Sequence, residues 1–181
     1  MTDNESLLLG FLEERSLTRG RFLLASGDTS DYYLDARLTT QWATWLIGVV
    51  LCERLERTVF GAIGGPATGS VPLSAAVSAV LGYRRKALPE GFWVRSEPKA
   101  HGTRNLIEGR LYRGARVVIV DDVITRGGSV MRAIEAVRDF GCEVVQVLTL
   151  IDRLAGAGEL LRQAGVEFES IFTIRDFGIE P

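Results

Sequence analysis

The hydrophobic pattern changes period partway along the chain. Leu7, Leu8, Phe11 and Leu12 recur at helical spacing over 5–14, which predicts a first helix capped by Asn4. The stretch RFLLASGDTSDYYLDAR then shows two short runs about a Gly-Asp-Thr-Ser turn, the pattern of a β-hairpin outside the main sheet. A second helix is predicted after Thr39 or Thr40, with Trp42, Trp45, Leu46, Val49 and Cys52 on its apolar stripe. From there strands alternate with helices. Strands are expected at 59–63, 92–94, 116–120, 143–150 and 168–173, and helices at 70–81, 129–140 and 156–164. That alternation means βαβ units and a parallel sheet covered on both faces. The run VVIV at 117–120 is the unbroken apolar stretch such a buried strand requires.

Open parallel sheets bind their ligands outside the carboxyl ends of the strands. Three polar segments fall at those ends: IGGPATGS, SEPKAHGTRNLIEG and DDVITRGGS. The last joins two acids to a glycine turn and a helix start. Unpaired N–H groups and the positive end of the helix dipole make such a start a phosphate site. Gly127 and Gly128 let the main chain approach an anion, and Thr125 and Ser129 offer hydroxyls. The plainer alternative is a helix start capped by Thr125 or Ser129, with the glycines only making the turn. A carboxylate repels phosphate, so Asp121 and Asp122 suit sugar hydroxyls or a hydrated Mg²⁺ instead. Phosphate on one side and vicinal hydroxyls on the other describe a ribose 5-phosphate. A Walker loop is excluded because the chain contains no Gly-Lys pair, and IGGPATGS is not the GxGxxG of a dinucleotide site.

Composition narrows the classes further. The 181 residues suit one domain, and the net charge of −2 lacks the basic excess of a nucleic-acid partner. The longest apolar runs, such as 45–52, are too short to span a bilayer, so no membrane partner is expected. The polar, acidic 1–6 stretch lacks the basic start of a secretory signal. Cys52 and Cys142 have no metal-ligand spacing and are expected to be reduced thiols in a cytoplasmic protein. His101, the single histidine, rules out a site needing two imidazoles.

VVIVDDVITRGGS resembles the phosphoribosyl pyrophosphate (PRPP) motif of type I phosphoribosyltransferases: hydrophobic strand, two acids, then Thr-x-Gly-x-Ser. RSEPKAHGTRNLIEG is similar to the mobile catalytic loop of orotate phosphoribosyltransferases. FLLASGDTSDYYLDAR is similar to their hood hairpin, IDRLAG to their Asp-Arg-x-x-Gly segment and GGPATG to their pyrophosphate-side loop. The matches run in the expected order over most of the chain. The resemblance implies an α/β fold: a central parallel sheet flanked by helices, with a small N-terminal helix and hairpin hood. It is expected to form a single domain, 1–37 carrying the hood and 38–181 the core.

The implied reaction joins the anomeric carbon of PRPP to a ring nitrogen of orotate, releasing pyrophosphate. By the same resemblance Asp121 and Asp122 hold the ribose hydroxyls, with Asp122 also catalytic. Thr125, Arg126, Gly127, Gly128 and Ser129 wrap the 5′-phosphate, Val123 and Ile124 are further implied PRPP contacts, and Arg95, Lys99 and His101 engage the pyrophosphate. Lys99 and His101 are the implied loop catalysts, and Thr125 and Arg153 the implied orotate contacts. Mg²⁺ is the implied cofactor, carried by PRPP rather than caged by side chains. A homodimer is implied, with the mobile loop acting in the neighbouring site. Read physically, the segment from Arg95 to Arg113 carries five Arg or Lys residues against two acids, which also fits a solvated surface loop. Arg153 has its own bland alternative, a surface pair with Asp152. The chain departs from the family pattern where Lys occurs in other members, at Ala25, Gly69 and Ser96; Arg104 is the replacement the loop itself offers. Two rivals remain: a purine or uracil enzyme, for which Phe172 or Phe177 would stack on the base, and a PRPP-sensing regulator without catalysis.

Overall fold

The computed structural model describes residues 1–23, 29–40, 42–86, 88–97 and 106–181. Helix α1 spans Asp3–Ser16, and its cap is Thr2 rather than Asn4. The Thr2 hydroxyl takes the Glu5 N–H at 3.2 Å while the Glu5 carboxylate takes the Thr2 N–H at 2.9 Å, a reciprocal capping box. Asn4 points elsewhere, to Glu53 Oε1 at 2.9 Å. Leu8 and Leu12 are buried, whereas Leu7 is exposed, so the core stripe is narrower than the spacing implies.

The hairpin consists of β1 (Leu17–Leu23) and β2 (Thr29–Leu34), antiparallel and forming a sheet of their own. Its first strand starts four residues earlier than the sequence predicts, and most of its turn, 24–28, lies outside the described residues. A four-residue helix α2 (Arg37–Thr40) and then α3 (Thr44–Arg54) lead into the core. The buried face of α3 is Ile47, Val50, Leu51 and Cys52. Trp42 and Trp45, expected in that stripe, are 53% and 52% exposed. They pack on neighbours instead: Trp42 edge-on to Phe11 at 4.7 Å and under Arg15, Trp45 edge-on to Tyr83 at 5.3 Å.

The main sheet comprises β3 (Ala62–Pro66), β4 (Glu90–Val94), β5 (Ile107–Gly109), β6 (Arg116–Ile124), β7 (Glu143–Asp152) and β8 (Phe168–Thr173). Their order is β5-β4-β3-β6-β7-β8, parallel throughout except for the antiparallel edge strand β5. Edge strand β5 is an addition to the sequence reading, in which 107–109 belonged to a polar loop. Helices α4 (Ser70–Tyr83), α5 (Gly128–Asp139) and α6 (Ala157–Gln163) follow β3, β6 and β7. Residues 117–120 alternate between two cores. Val118 and Val120 join α3 and α4, while Val117 and Ile119 join α5 and α6. Each such side chain contributes about 1.5–3 kcal/mol.

Two strand boundaries moved, both at the edge where ligands bind. Strand β3 lies three residues later than predicted, because a fully buried central position suits Gly64, Gly65 and Pro66 better than the exposed Val59. A β-carbon on Gly65 would lie 2.1 Å from the Val120 carbonyl oxygen, so only glycine allows the neighbouring strand so close. Strand β6 continues through the two acids to Ile124, since the ten-residue β7 offers backbone partners that far. Among the described residues no helix is long and apolar enough to cross a membrane.

A buried ion pair fastens the N-terminal helix to this core. Glu5, 3% exposed, accepts from Arg54 Nε at 2.9 Å and Nη2 at 2.6 Å, and Arg54 also reaches Glu169 on β8. Burial pushes the Glu5 carboxyl up, but the Thr2 amide and the Arg54 guanidinium outweigh it and hold it below its ordinary value. Arg54→Met should leave Glu5 buried without a counter-charge and cost about 2–3 kcal/mol. That is less than for a fully enclosed pair, because Arg54 is about one-third exposed. Urea unfolding with an unchanged m-value is the measurement that checks it.

Candidate active site

A cleft of about 330 Å³ opens between β3 and β6, where the chain order of the strands reverses. One wall is the loop Ala67–Thr68–Gly69 after β3. The floor is Asp121, Asp122 and Val123 at the end of β6, and the far wall runs from Tyr33 to Arg37. A larger hollow of about 420 Å³ beside Phe140 mixes Leu106, Ile107 and Leu111 with Arg113 and Asp139 and has no pair of adjacent acids.

Asp121 is 6% exposed and Asp122 is half-buried. The Asp122 N–H donates to Asp121 Oδ1 at 3.1 Å, and the Val123 N–H to Asp122 Oδ1 at 2.9 Å. Burial raises both carboxyls above the ordinary range, and for Asp121 the adjacent Asp122 charge adds to it. The helix start of α4 presses on them from above. A β-carbon on Gly69 would fall 2.4 Å from Asp122 Oδ1 and 2.6 Å from Asp121 Oδ1. Gly69 is therefore not simply a lost cation: a side chain there displaces the acids. The carboxylates are crowded, poorly hydrated and short of donors, which suits paired hydroxyls of a ligand. Among the described residues no cluster of three or more acids, histidines or cysteines forms a metal cage.

Next along the chain, Gly127 caps α5 with φ of 80°, a left-handed conformation that glycine adopts without strain. No side chain caps the helix, so neither Thr125 nor Ser129 plays the plain capping role. Thr125, Arg126, Gly128 and Ser129 are exposed around its free N–H groups, and Ser129 also borders the cleft. Ile124 is different: its side chain is buried in the core, leaving only its backbone to meet a ligand. Its carbonyl already accepts the Arg153 N–H at 3.0 Å.

Arg153 follows β7 and turns to the hairpin. Its Nε donates to the Tyr32 hydroxyl at 2.9 Å and its guanidinium carbon sits 4.9 Å from the Tyr32 ring. The surface pair with Asp152 does not form, since Asp152 Oδ1 takes the Leu154 N–H instead. Arg95 leaves the end of β4, approaches Glu108 at 3.9 Å, and shares a small hollow with Ala67, Ser129 and Arg132. Its N–H donates to Leu106 O at 2.9 Å, so the segment carrying Lys99, His101 and Arg104 departs and returns at one point on the β4–β5 edge. Those three residues, and Ala25, lie outside the described residues. Thus the structure brings Asp121, Asp122, Ser129 and the 67–69 loop together, with Arg95 and Arg153 on the flanks. Sequence reasoning missed Tyr33, Asp35 and Arg37 on the far wall. The only signal was the Asp-x-Arg spacing, which is common on ordinary surfaces.

A parallel α/β sheet with buried acids and a glycine-turned helix start at its switch point, beside a separate hairpin, defines the type I phosphoribosyltransferase fold. The chain belongs to the phosphoribosyl transferase family: residues 42–178 match its phosphoribosyl transferase domain. It is 46% identical to the orotate phosphoribosyltransferase of Rhodopirellula baltica over 96% of this chain and 94% of that protein. A solved orotate phosphoribosyltransferase of Mycobacterium tuberculosis superposes with TM-score 0.85 at 34% identity, covering 97% of this chain and 99% of that one. The same enzyme in complex with PRPP superposes with TM-score 0.80 at 30% identity, over 97% and 99%.

Because the Asp121 carboxyl is raised on folding, the folded state binds more protons than the unfolded one above about pH 4. Stability of the free protein should therefore fall as pH rises through the raised range. Asp121→Asn should flatten that slope and raise the thermal midpoint at alkaline pH while removing activity; melting curves from about pH 5 to about pH 9 test it.

Proposed function

We propose that this chain is an orotate phosphoribosyltransferase. It transfers the 5-phosphoribosyl group of PRPP to orotate, giving orotidine 5′-monophosphate and pyrophosphate. The observation that carries the proposal is the desolvated Asp121–Asp122 pair beside the uncapped start of α5. This corner is complementary to a sugar with vicinal hydroxyls at one end and a phosphate at the other.

Transfer separates charge. As the pyrophosphate departs, positive charge builds on the ribose ring, as in glycoside cleavage. Asp121 and Asp122 accept the ribose hydroxyls and oppose that positive charge, and the amides from Arg126 to Ser129 hold the 5′-phosphate. Arg95, Lys99 and His101 neutralise the leaving diphosphate, with His101 as the proton donor. Arg153 takes the orotate carboxylate. Its support is the geometry with Tyr32, whose hydroxyl takes Nε and holds the planar donor fork beside the hairpin. Mg²⁺, when bound, would ride on the diphosphate through substrate oxygens and water, without a cage of protein side chains, and would screen the charge of the leaving group. The family resemblance supports a homodimer in which the loop begun at Arg95 serves the partner's site. The exposed Trp45–Tyr83 pair is apolar surface of the kind such contacts bury. A cytoplasmic setting follows from the cysteine usage and the chemistry.

The purine alternative loses its stacking residues. Phe172 and Phe177 are 2% and 1% exposed and pack edge-on at 6.3 Å within the core. A sensing regulator finds no basic surface excess in a chain of net charge −2.

Offered PRPP, Mg²⁺ and separately orotate, uracil or a purine, the protein should consume orotate alone; consumption of another base instead would overturn the assignment. Lys99→Ala should lower turnover by about 10²–10³-fold with a smaller effect on PRPP binding. Arg153→Ala should raise the Michaelis constant for orotate by about tenfold or more and leave that for PRPP nearly unchanged, as steady-state kinetics will show.

A further inference from the structure

We propose that Arg37, braced by Asp35 on the far wall of the cleft, is an additional ligand for the diphosphate of PRPP and supplies the cation that the 67–69 loop cannot carry. The inference rests on the reading that PRPP fills this cleft. Where β2 ends, the Asp35 carboxylate accepts Arg37 Nε at 2.7 Å, Nη2 at 2.7 Å and the Arg37 backbone N–H at 3.2 Å. One edge of the guanidinium is thereby locked, and its other N–H groups meet no partner among the described residues. Arg37 stands half exposed while Asp35 is mostly covered, so the pair is a bracket with the cation outward.

Charge accounting points the same way. The described residues lining the cleft include Asp35, Asp121 and Asp122 but a single basic side chain, Arg37. Three carboxylates against one guanidinium leave the lining acidic, so among the described residues Arg37 is the one positive group there that a diphosphate can meet. The opposite wall has no room for a substitute, because any β-carbon at Gly69 strikes both acids. Asp35 chiefly favours the charged arginine and Asp122 adds to it in the same direction, while Arg37 draws the Asp122 carboxyl down against its burial. Its bond to Asp35 keeps it from collapsing onto Asp122 when the cleft is empty. Asp35 is in this sense a positioning residue. The diphosphate is the favoured ligand over orotate because Arg37 shares the cleft with Ala67, Thr68 and Gly69, whereas Arg153 and Tyr32 do not line it.

The test compares wild type with Arg37→Ala, Arg37→Lys and Asp35→Asn. Arg37→Ala should raise the Michaelis constant for PRPP about 10–100-fold and leave that for orotate within about twofold. Arg37→Lys should recover part of the loss, and Asp35→Asn should fall between. Calorimetric binding of magnesium pyrophosphate should weaken in Arg37→Ala while binding of ribose 5-phosphate, which lacks the diphosphate, stays the same. An unchanged PRPP constant, or equal weakening toward pyrophosphate and ribose 5-phosphate, would overturn the proposal; the second outcome would mark a structural role. Failure of the wild type to consume orotate would count against the assigned reaction instead, and the pyrophosphate titration would still decide the role of Arg37. Thermal midpoints of all variants separate lost binding from lost folding.

Discussion

Two neighbouring carboxylates removed from water at the end of the central strand are the constraint on which this structure depends. Asp121 and Asp122 repel each other, receive two backbone hydrogen bonds among the described residues and sit against the main chain of Gly69. Burying such a pair costs several kcal/mol that the rest of the fold must offset. The offset is local and visible. Four apolar residues ahead of the acids are shared between two cores, and the strand that carries them is paired on both sides. A ligand that donates hydroxyls supplies what the acids lack, so ligand affinity draws on free energy stored in the folded protein.

The hairpin matters because it stands outside the main sheet and still faces the site. Backbone pairing does not join it to the sheet; side chains do. Arg19 donates to the Phe177 carbonyl at 2.8 Å, and Tyr32 meets Arg153. The Glu5–Arg54–Glu169 network holds the helix that precedes the hairpin. Leu17, Tyr32 and Leu34 add apolar packing against the core. Together these contacts fix the approach of the hairpin while leaving the cleft open between it and β6, which a continuous sheet would have closed.

Cations are distributed around this acidic floor from three directions: Arg95 at the end of β4, Arg153 after β7 and Arg37 on the hairpin side. Each comes from a different part of the chain, and each has its own partner: Glu108, Tyr32 and Asp35. The glycines do the opposite work. Gly69 and Gly127 remove side-chain bulk where main chain must come close to the acids or to an anion. Charge on long side chains and close approach on glycine are complementary solutions to holding a polyanion over two aspartates.

Much of this was legible in the order of residues. The alternation of strands and helices, the buried run 117–120, the acid pair and the glycine turn depend on neighbours in sequence, where periodicity and local turn chemistry act directly. Boundaries were less legible: β3 slid toward Gly64 and Gly65, and β6 ran on through the acids, because those limits are set by how far an adjacent strand extends. Trp42 and Trp45 misled because large apolar side chains count equally in a periodicity whether they enter a core or lie on its rim. Sequence alone determined which chemistry sits at the carboxyl end of the sheet. Tertiary structure alone decided that Gly69 is wedged against the acids, that Arg153 answers to Tyr32 rather than Asp152, and that Arg37 joins the cleft, since each is a meeting of segments far apart in the chain, where distance and burial, not spacing, select the partner.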